Sequence, residues 1–248
     1  MVIFWVAILA ISILLYVLLD GFDLGVGILF GLTREEAARR PMISAVAPVW
    51  DGNETWLVVA GVVLWGAFPP VYSVLSSAFY LPLLLMLAGL ILRGVAFEYR
   101  SRTERMRWIW DAAFSGGSLV AAFMQGVTVG AQVEGLPMAG TRYTGGELGW
   151  LSPFALLCAV GLCIGYALLG ACWLVRKCEG DVREAAYRLI PPPLCGSPRF
   201  SCCRIRLRSS RRPPSVASVA GEAVFVHLSG NRCSGSCRAR RECSLPSG

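Results

Sequence analysis

Five runs within the first 175 residues are each long and apolar enough to cross a bilayer as a helix: 2–31, 43–68, 71–97, 110–133 and 152–175. A span needs about 20 helical residues, and in hydrocarbon each backbone N–H and C=O has to find its partner inside the protein. Such a chain is expected to fold as a bundle of membrane-crossing helices. Composition agrees, since 55% of the residues are hydrophobic and 16% charged, where an ordinary soluble domain has about 25% charged. We therefore expect an all-α integral membrane protein with about five transmembrane helices. No basic residue precedes the first run and no small-residue cleavage site with a polar sequence follows it, so it reads as a retained span.

Charge in the connections sets the orientation. Arg34, Arg39 and Arg40, then Arg100, Arg102, Arg105 and Arg107, then Arg176, Lys177, Arg183 and Arg188 fall on one side, and Arg142 alone on the other. The positive-inside rule puts those three basic segments in the cytoplasm and the N-terminus outside. Pro69-Pro70 makes the uncharged turn between spans two and three a tight reversal. Four glycine pairs at spacing four, Gly21/Gly25, Gly27/Gly31, Gly126/Gly130 and Gly161/Gly165, are of the kind that lets helix backbones approach closely.

The chain joins two compositions. Residues 1–190 hold 13 Lys+Arg and 14 Asp+Glu, whereas 191–248 hold 10 and 2, with 11 Ser, 6 of the 10 Cys and no Trp. We read 1–190 as the transmembrane domain and 191–248 as a basic Arg/Ser/Cys/Pro-rich tail, either disordered or derived from a high-GC gene read in the wrong frame. As a functional segment, the tail would meet anionic lipid or nucleic acid on the cytoplasmic side. Cys233, Cys237 and Cys243 lack a second ligand cluster of standard spacing, so no metal site is expected. Cys158, Cys163 and Cys172 lie in an apolar run and read as small hydrophobes.

Four acids lie inside the first two apolar runs: Asp20 and Asp23 in Leu19-Asp20-Gly21-Phe22-Asp23-Leu24-Gly25, and Asp51 and Glu54 in Trp50-Asp51-Gly52-Asn53-Glu54-Thr55-Trp56. A carboxylate at mid-bilayer costs about 2.5–3.5 kcal/mol on insertion scales, so such groups face a protein interior or a water-lined path. Each pair is spaced i, i+3, which predicts one shared helix face, and Asp23 and Asp51 are expected to converge at one depth on antiparallel helices. That arrangement suits proton uptake from the cytoplasm. The structural alternative has Asp51 and Asn53 capping a helix near Pro48 and Gly52, and Asp23 bonding a neighbouring helix. Arg93, one turn inside a basic loop, reads first as a snorkelling anchor and second as a counter-charge to a buried acid. Trp108, Trp110 and Asp111 read as an aromatic belt with a helix-start acid.

Haem-bearing membrane helices usually supply His, sometimes with Met. The one His is His227, in the tail, and Met86 and Met124 read as packing residues. No phosphate loop, zinc motif or nucleophile–base pair occurs in 1–190, and no catalytic residue is assigned.

Four segments in order resemble a known family: Asp20-Gly21-Phe22-Asp23-Leu24-Gly25-Val26-Gly27, Ala47-Pro48-Val49-Trp50-Asp51-Gly52-Asn53-Glu54-Thr55-Trp56-Leu57, Arg93-Gly94-Val95-Ala96-Phe97-Glu98-Tyr99-Arg100, and Trp110-Asp111 with Gly116-Gly117-Ser118. Over about residues 1–190 the chain is similar to subunit II of the cytochrome bd-type quinol oxidases, including the cyanide-insensitive branch. The resemblance implies the first four-helix bundle of that fold plus a fifth helix, where the family pattern has roughly eight or nine spans. It implies a haem-bearing subunit I as partner, with haems b and d held there, and a complex in the bacterial inner membrane that oxidises the quinol pool, reduces O₂ to water and takes protons from the cytoplasm. It also implies a proton route through Asp51, with Asp23 in the same region; to that path we add Asp20 and Glu54 from their place in the apolar runs, with Trp50, Asn53, Arg93 and Glu98 as supporting residues. In some members this subunit holds a structural quinone. Membrane lipid is a further expected partner and nucleic acid is not, and this five-span chain alone is expected to be inactive. The rival function is a small proton- or cation-coupled transporter.

Overall fold

A computed structural model of the chain describes residues 1–103, 105–139 and 142–190. The tail, with His227 and its cysteines, and with it the disordered or frame-shifted reading, lies outside the described residues. These form α1 (Val2–Leu32), α2 (Glu36–Val46), α3 (Trp50–Ala67), α4 (Pro69–Ala78), α5 (Tyr80–Arg102), α6 (Arg107–Glu134), a two-stranded antiparallel hairpin of β1 (Met138–Ala139) and β2 (Arg142–Tyr143), α7 (Pro153–Lys177) and α8 (Asp181–Leu189).

Helices α1, α5, α6 and α7 are each long and apolar enough to cross a membrane, and the chain is an all-α multi-pass membrane protein. The expected span 43–68 is divided. Its first residues end α2, the chain turns over 47–49, and α3 begins at Trp50. Pro48 has no N–H to continue the helix, and Val49 leaves helical geometry at φ −127°. The 18 residues of α3 carry Asp51, Asn53 and Glu54 near their start, and α3 is not among the helices long and apolar enough to cross, so the described residues hold four such helices where five were expected. The expected span 71–97 is divided as well, at Phe79 (φ −111°, ψ 24°). Pro82 removes the N–H that would have bonded the Ala78 carbonyl across that break.

Close backbone approach holds the bundle together. A Cβ at Gly170 of α7 would come within 2.5 Å of the Gly25 carbonyl carbon of α1, one at Gly130 of α6 within 2.6 Å of Ala155 Cα, and one at Gly89 of α5 within 2.7 Å of the Gly117 carbonyl oxygen. Without a hydrophobic drive between helices in lipid, such contacts supply the packing. Gly161 and Gly165 do not share this role. A Cβ at either would meet no neighbouring helix within 4 Å, because α7 turns Ala155, Ala159, Tyr166 and Gly170 inward instead.

The three basic connections gather at one end of the bundle. Trp173 Nε1 of α7 donates to the Ala45 carbonyl of α2 at 3.0 Å, and Met42 and Val46 of α2 pack with Val182 and Ala186 of α8. Asp111 is more than a helix-start acid here. Nearly buried, it accepts from Arg39 Nη1 at 2.7 Å and Arg100 Nε at 2.5 Å, while Arg100 Nη2 donates to Glu36 at 2.9 Å and Arg107 Nη1 to Glu36 at 3.3 Å. The Arg39 guanidinium also sits 4.9 Å from the Phe30 ring centre. These ties join α2, α5 and α6 across 64 to 72 residues of sequence.

Burial pushes the Glu36 carboxyl up, but Arg100, Arg40 and Arg107 outweigh it and hold the group below its ordinary value of 4.5. A carboxyl whose affinity for protons falls on folding stabilises fully above its unfolded value and loses that contribution as the pH drops through the folded one. Hydrogen exchange in α2 is therefore expected to rise below about pH 4.5 before exchange in α6 does. Equal protection of the two helices throughout an acid titration would contradict the role of Glu36.

Candidate functional site

The largest of the wholly buried side chains among the described residues is Arg93, on α5, with no solvent exposure. Its Nη1 donates to Asp20 Oδ1 of α1 at 3.0 Å and to Glu54 Oε1 of α3 at 3.1 Å, and its Nη2 lies 3.9 Å from Asp23 Oδ2. Asn53 of α3 completes the group, its Nδ2 donating to Asp23 Oδ2 at 2.6 Å and to the Leu19 carbonyl at 3.3 Å. Asp20 and Asp23 are buried, and the Glu54 side chain is 23% exposed, so the cluster opens on the α3 side. Nine residues separate Asp23 from the basic end of α1, a depth of about 13 Å.

Local sequence explains how three helices deliver these groups. Asp20 and Asp23 share a face of α1, and Gly21 and Gly25 next to them let α7 close over that helix. Trp50 stacks on Phe97 of α5 with ring centres 5.3 Å apart and planes 6° from parallel, and rests on Gly94, where a Cβ would meet its ring at 3.4 Å. That brace ties the start of α3 to α5 next to Arg93, while the body of α3 lies along α1. Three carboxyl groups around one guanidinium leave an excess of negative charge that a low-dielectric interior tolerates poorly unless protons are bound. Asp20 Oδ2, Asp23 Oδ1 and Arg93 Nε are buried and have no hydrogen-bond partner, as in sites that take internal water.

Of the residues singled out in sequence, Asp20, Asp23, Glu54, Asn53 and Arg93 come together, with Trp50 bracing them. Arg93 is a buried counter-charge rather than a snorkelling anchor. Asp51 does not join. It is exposed on the outer side of α3, because two residues of helix place it about 200° round from the inward-facing Asn53. The expected meeting of Asp23 with Asp51 is thus a meeting of Asp23 with Asn53. Glu98 also stands apart, exposed and paired with Arg102 one turn on. Sequence reasoning passed over Tyr16, Gln125 and Tyr166, which bond to one another in the bundle interior. A lone Gln in the apolar part of α6 was the one available signal.

Fold and site together define a polytopic helical membrane protein with a charge cluster buried between its first spans. The chain belongs to the cytochrome bd terminal oxidase subunit II family, whose pattern it matches over residues 1–195. It is 38% identical over 193 residues to the probable cytochrome oxidase subunit 2 of Haemophilus influenzae, covering 73% of this chain and 50% of that protein. To the cytochrome bd-I ubiquinol oxidase subunit 2 of Escherichia coli it is 37% identical over 187 residues, 72% of this chain and 49% of the relative. The cytochrome bd ubiquinol oxidase subunit 2 of Bacillus subtilis is 29% identical over 189 residues, 75% and 56% of the two chains. The chain spans about half the length of the curated relatives it matches. Like the family, it is a multi-pass protein of the bacterial inner membrane.

Proposed function

We propose that this chain serves as the non-haem subunit of a cytochrome bd-type quinol oxidase, paired with a haem-bearing subunit I, and that its buried cluster takes up protons from the cytoplasm. The observation that carries the reading is the set of three carboxyl groups gathered around one wholly buried guanidinium. Family membership favours this over the cation-coupled transporter.

The family implies haem in the complex, and residues 1–190 do not fit one. They contain no His, and Met42 and Met86 are packed among apolar side chains. On this reading haems b and d are held by the partner, where they would supply the electron transfer and O₂ reduction. A structural quinone is left without assigned residues in this chain. On this reading Glu54, the partly exposed member, meets incoming protons, Asp23 Oδ1, one of two buried carboxylate oxygens without a partner, receives them, and Arg93 holds Asp20 and Glu54 by hydrogen bonds. Asp51, a carboxylate exposed on the outer face of α3, is better accommodated by a partner surface than by lipid, and would pass protons between the subunits.

Co-purification tests the assignment. The tagged chain expressed with its partner is expected to bring haem absorbance and quinol-driven O₂ consumption with it. A colourless, partnerless chain that moves a cation across vesicles would replace this reading with the transporter.

A further inference from the structure

Next to the acid cluster, outward along α1, lies a separate chain of hydrogen bonds outside the proton route. Ser12, Tyr16, Asp20 and Asp23 form one buried stripe of α1. Tyr166 of α7 donates its hydroxyl hydrogen to Gln125 Oε1 at 2.9 Å, and Gln125 Nε2 of α6 donates to the Tyr16 oxygen at 2.5 Å. Tyr16 thus receives one hydrogen bond and keeps its own hydrogen to give. One turn on, in interaction range, lies Asp20, with Oδ1 taken by Arg93 and Oδ2 buried and unpartnered. Donor and acceptor inventories match, since the chain ends with one spare hydrogen beside one spare carboxylate oxygen.

We propose that Tyr166, Gln125 and Tyr16 are positioning residues that hold the Asp20 carboxylate against Arg93 and so set the charge environment of Asp23 and Glu54. The proposal rests on the proton-uptake reading above. Three features support positioning rather than relay. Every assigned donor points toward Asp20. The middle link is an amide, which does not readily pass a proton on. The far link is anchored by packing, because the Tyr166 ring lies across Gly21, where a Cβ would come within 2.8 Å of Cε1. The residue following Asp20 is therefore small so that the chain's distant end can seat itself. Asp20 is faced by Arg93 from α5, Glu54 from α3, Tyr16 and Asp23 from its own helix and Tyr166 from α7, so a shift of its carboxylate is felt first through Arg93.

Two measurements test this in the chain assembled with its haem-bearing partner and in the purified chain. Tyr16→Phe, Gln125→Leu and their combination are each expected to displace the pH profile of quinol-driven O₂ consumption by about one unit, the equivalent of one charge-assisted hydrogen bond. The double variant should shift no further than either single one, because both break the same chain. The infrared carboxyl absorption of the purified chain needs no turnover. Tyr16→Phe should alter it in the wild-type background and leave it unchanged in an Asp20→Asn background. A Tyr16→Phe change of equal size in both backgrounds, or unaltered spectra and pH profiles for Tyr16→Phe and Gln125→Leu alike, would overturn the proposal. Infrared coupling to Asp20 together with unmoved pH profiles would uphold the positioning role and count against the proton route.

Discussion

Replacing Arg93 by Met is expected to cost this protein most of its folded population. The guanidinium is wholly buried and touches carboxyl groups from two other helices, so its removal leaves Asp20 and Glu54 facing each other without compensation. Breaking a buried ion pair from one side costs about 3–5 kcal/mol, a large fraction of the about 5–15 kcal/mol that stabilises a typical domain. Removing both signs together is far less costly than removing one. Arg93→Met combined with Asp20→Asn and Glu54→Gln should therefore recover much of the folded protein lost in the single variant. Thermal unfolding in detergent and the amount of intact chain in membranes measure both effects. A single variant as stable as wild type would mean that Arg93 is not the counter-charge of this cluster.

Asp23→Asn should act on rate rather than on folding. An amide keeps the size of the side chain and still hydrogen-bonds to Asn53, but it cannot take up a proton, so the route through Asp23 Oδ1 closes. Loss of a positioned acid–base group typically costs on the order of 10²-fold or more. We expect a drop of about that size in quinol-driven O₂ consumption of the assembled complex, with haem content and assembly retained. Asp51→Asn addresses a different point. Because Asp51 lies on the outer face of α3 and not in the cluster, its substitution should impair proton delivery only when the partner is in place, and should leave the Asp23–Asn53 contact intact. Full turnover in the Asp23 variant would remove the proton role from the cluster.

Hydropathy and charge determined the broad architecture directly from sequence. A run such as 152–175 has few ways to satisfy its backbone in a bilayer except as a helix, and α7 occupies 153–177. The basic loops were legible for the same reason, since each is a local excess of Arg, and the structure gathers them at one end. The unusual presence of Asp20, Asp23 and Glu54 in apolar surroundings likewise needed no tertiary knowledge to be noticed. Breaks at Pro48 and Phe79 were less legible, because an apolar run has the same hydropathy whether or not a proline divides it.

Only the tertiary structure decided which of those groups meet. Arg93 finds Asp20 across 73 residues and Glu54 across 39, and Gln125 finds Tyr16 across 109. No local period encodes such pairings. The i, i+3 rule put Asp51 and Glu54 on one face, yet the direction of that face depends on how Trp50 stacks against Phe97 and how α3 rolls on α1. That roll brought Asn53 to Asp23 and turned Asp51 outward. Sequence determined which residues are costly in a membrane, because transfer from water is a property of each side chain. Their partners were set by helix packing, because it is backbone approach at Gly25, Gly89 and Gly170 that fixes how far apart and at what rotation the helices stand.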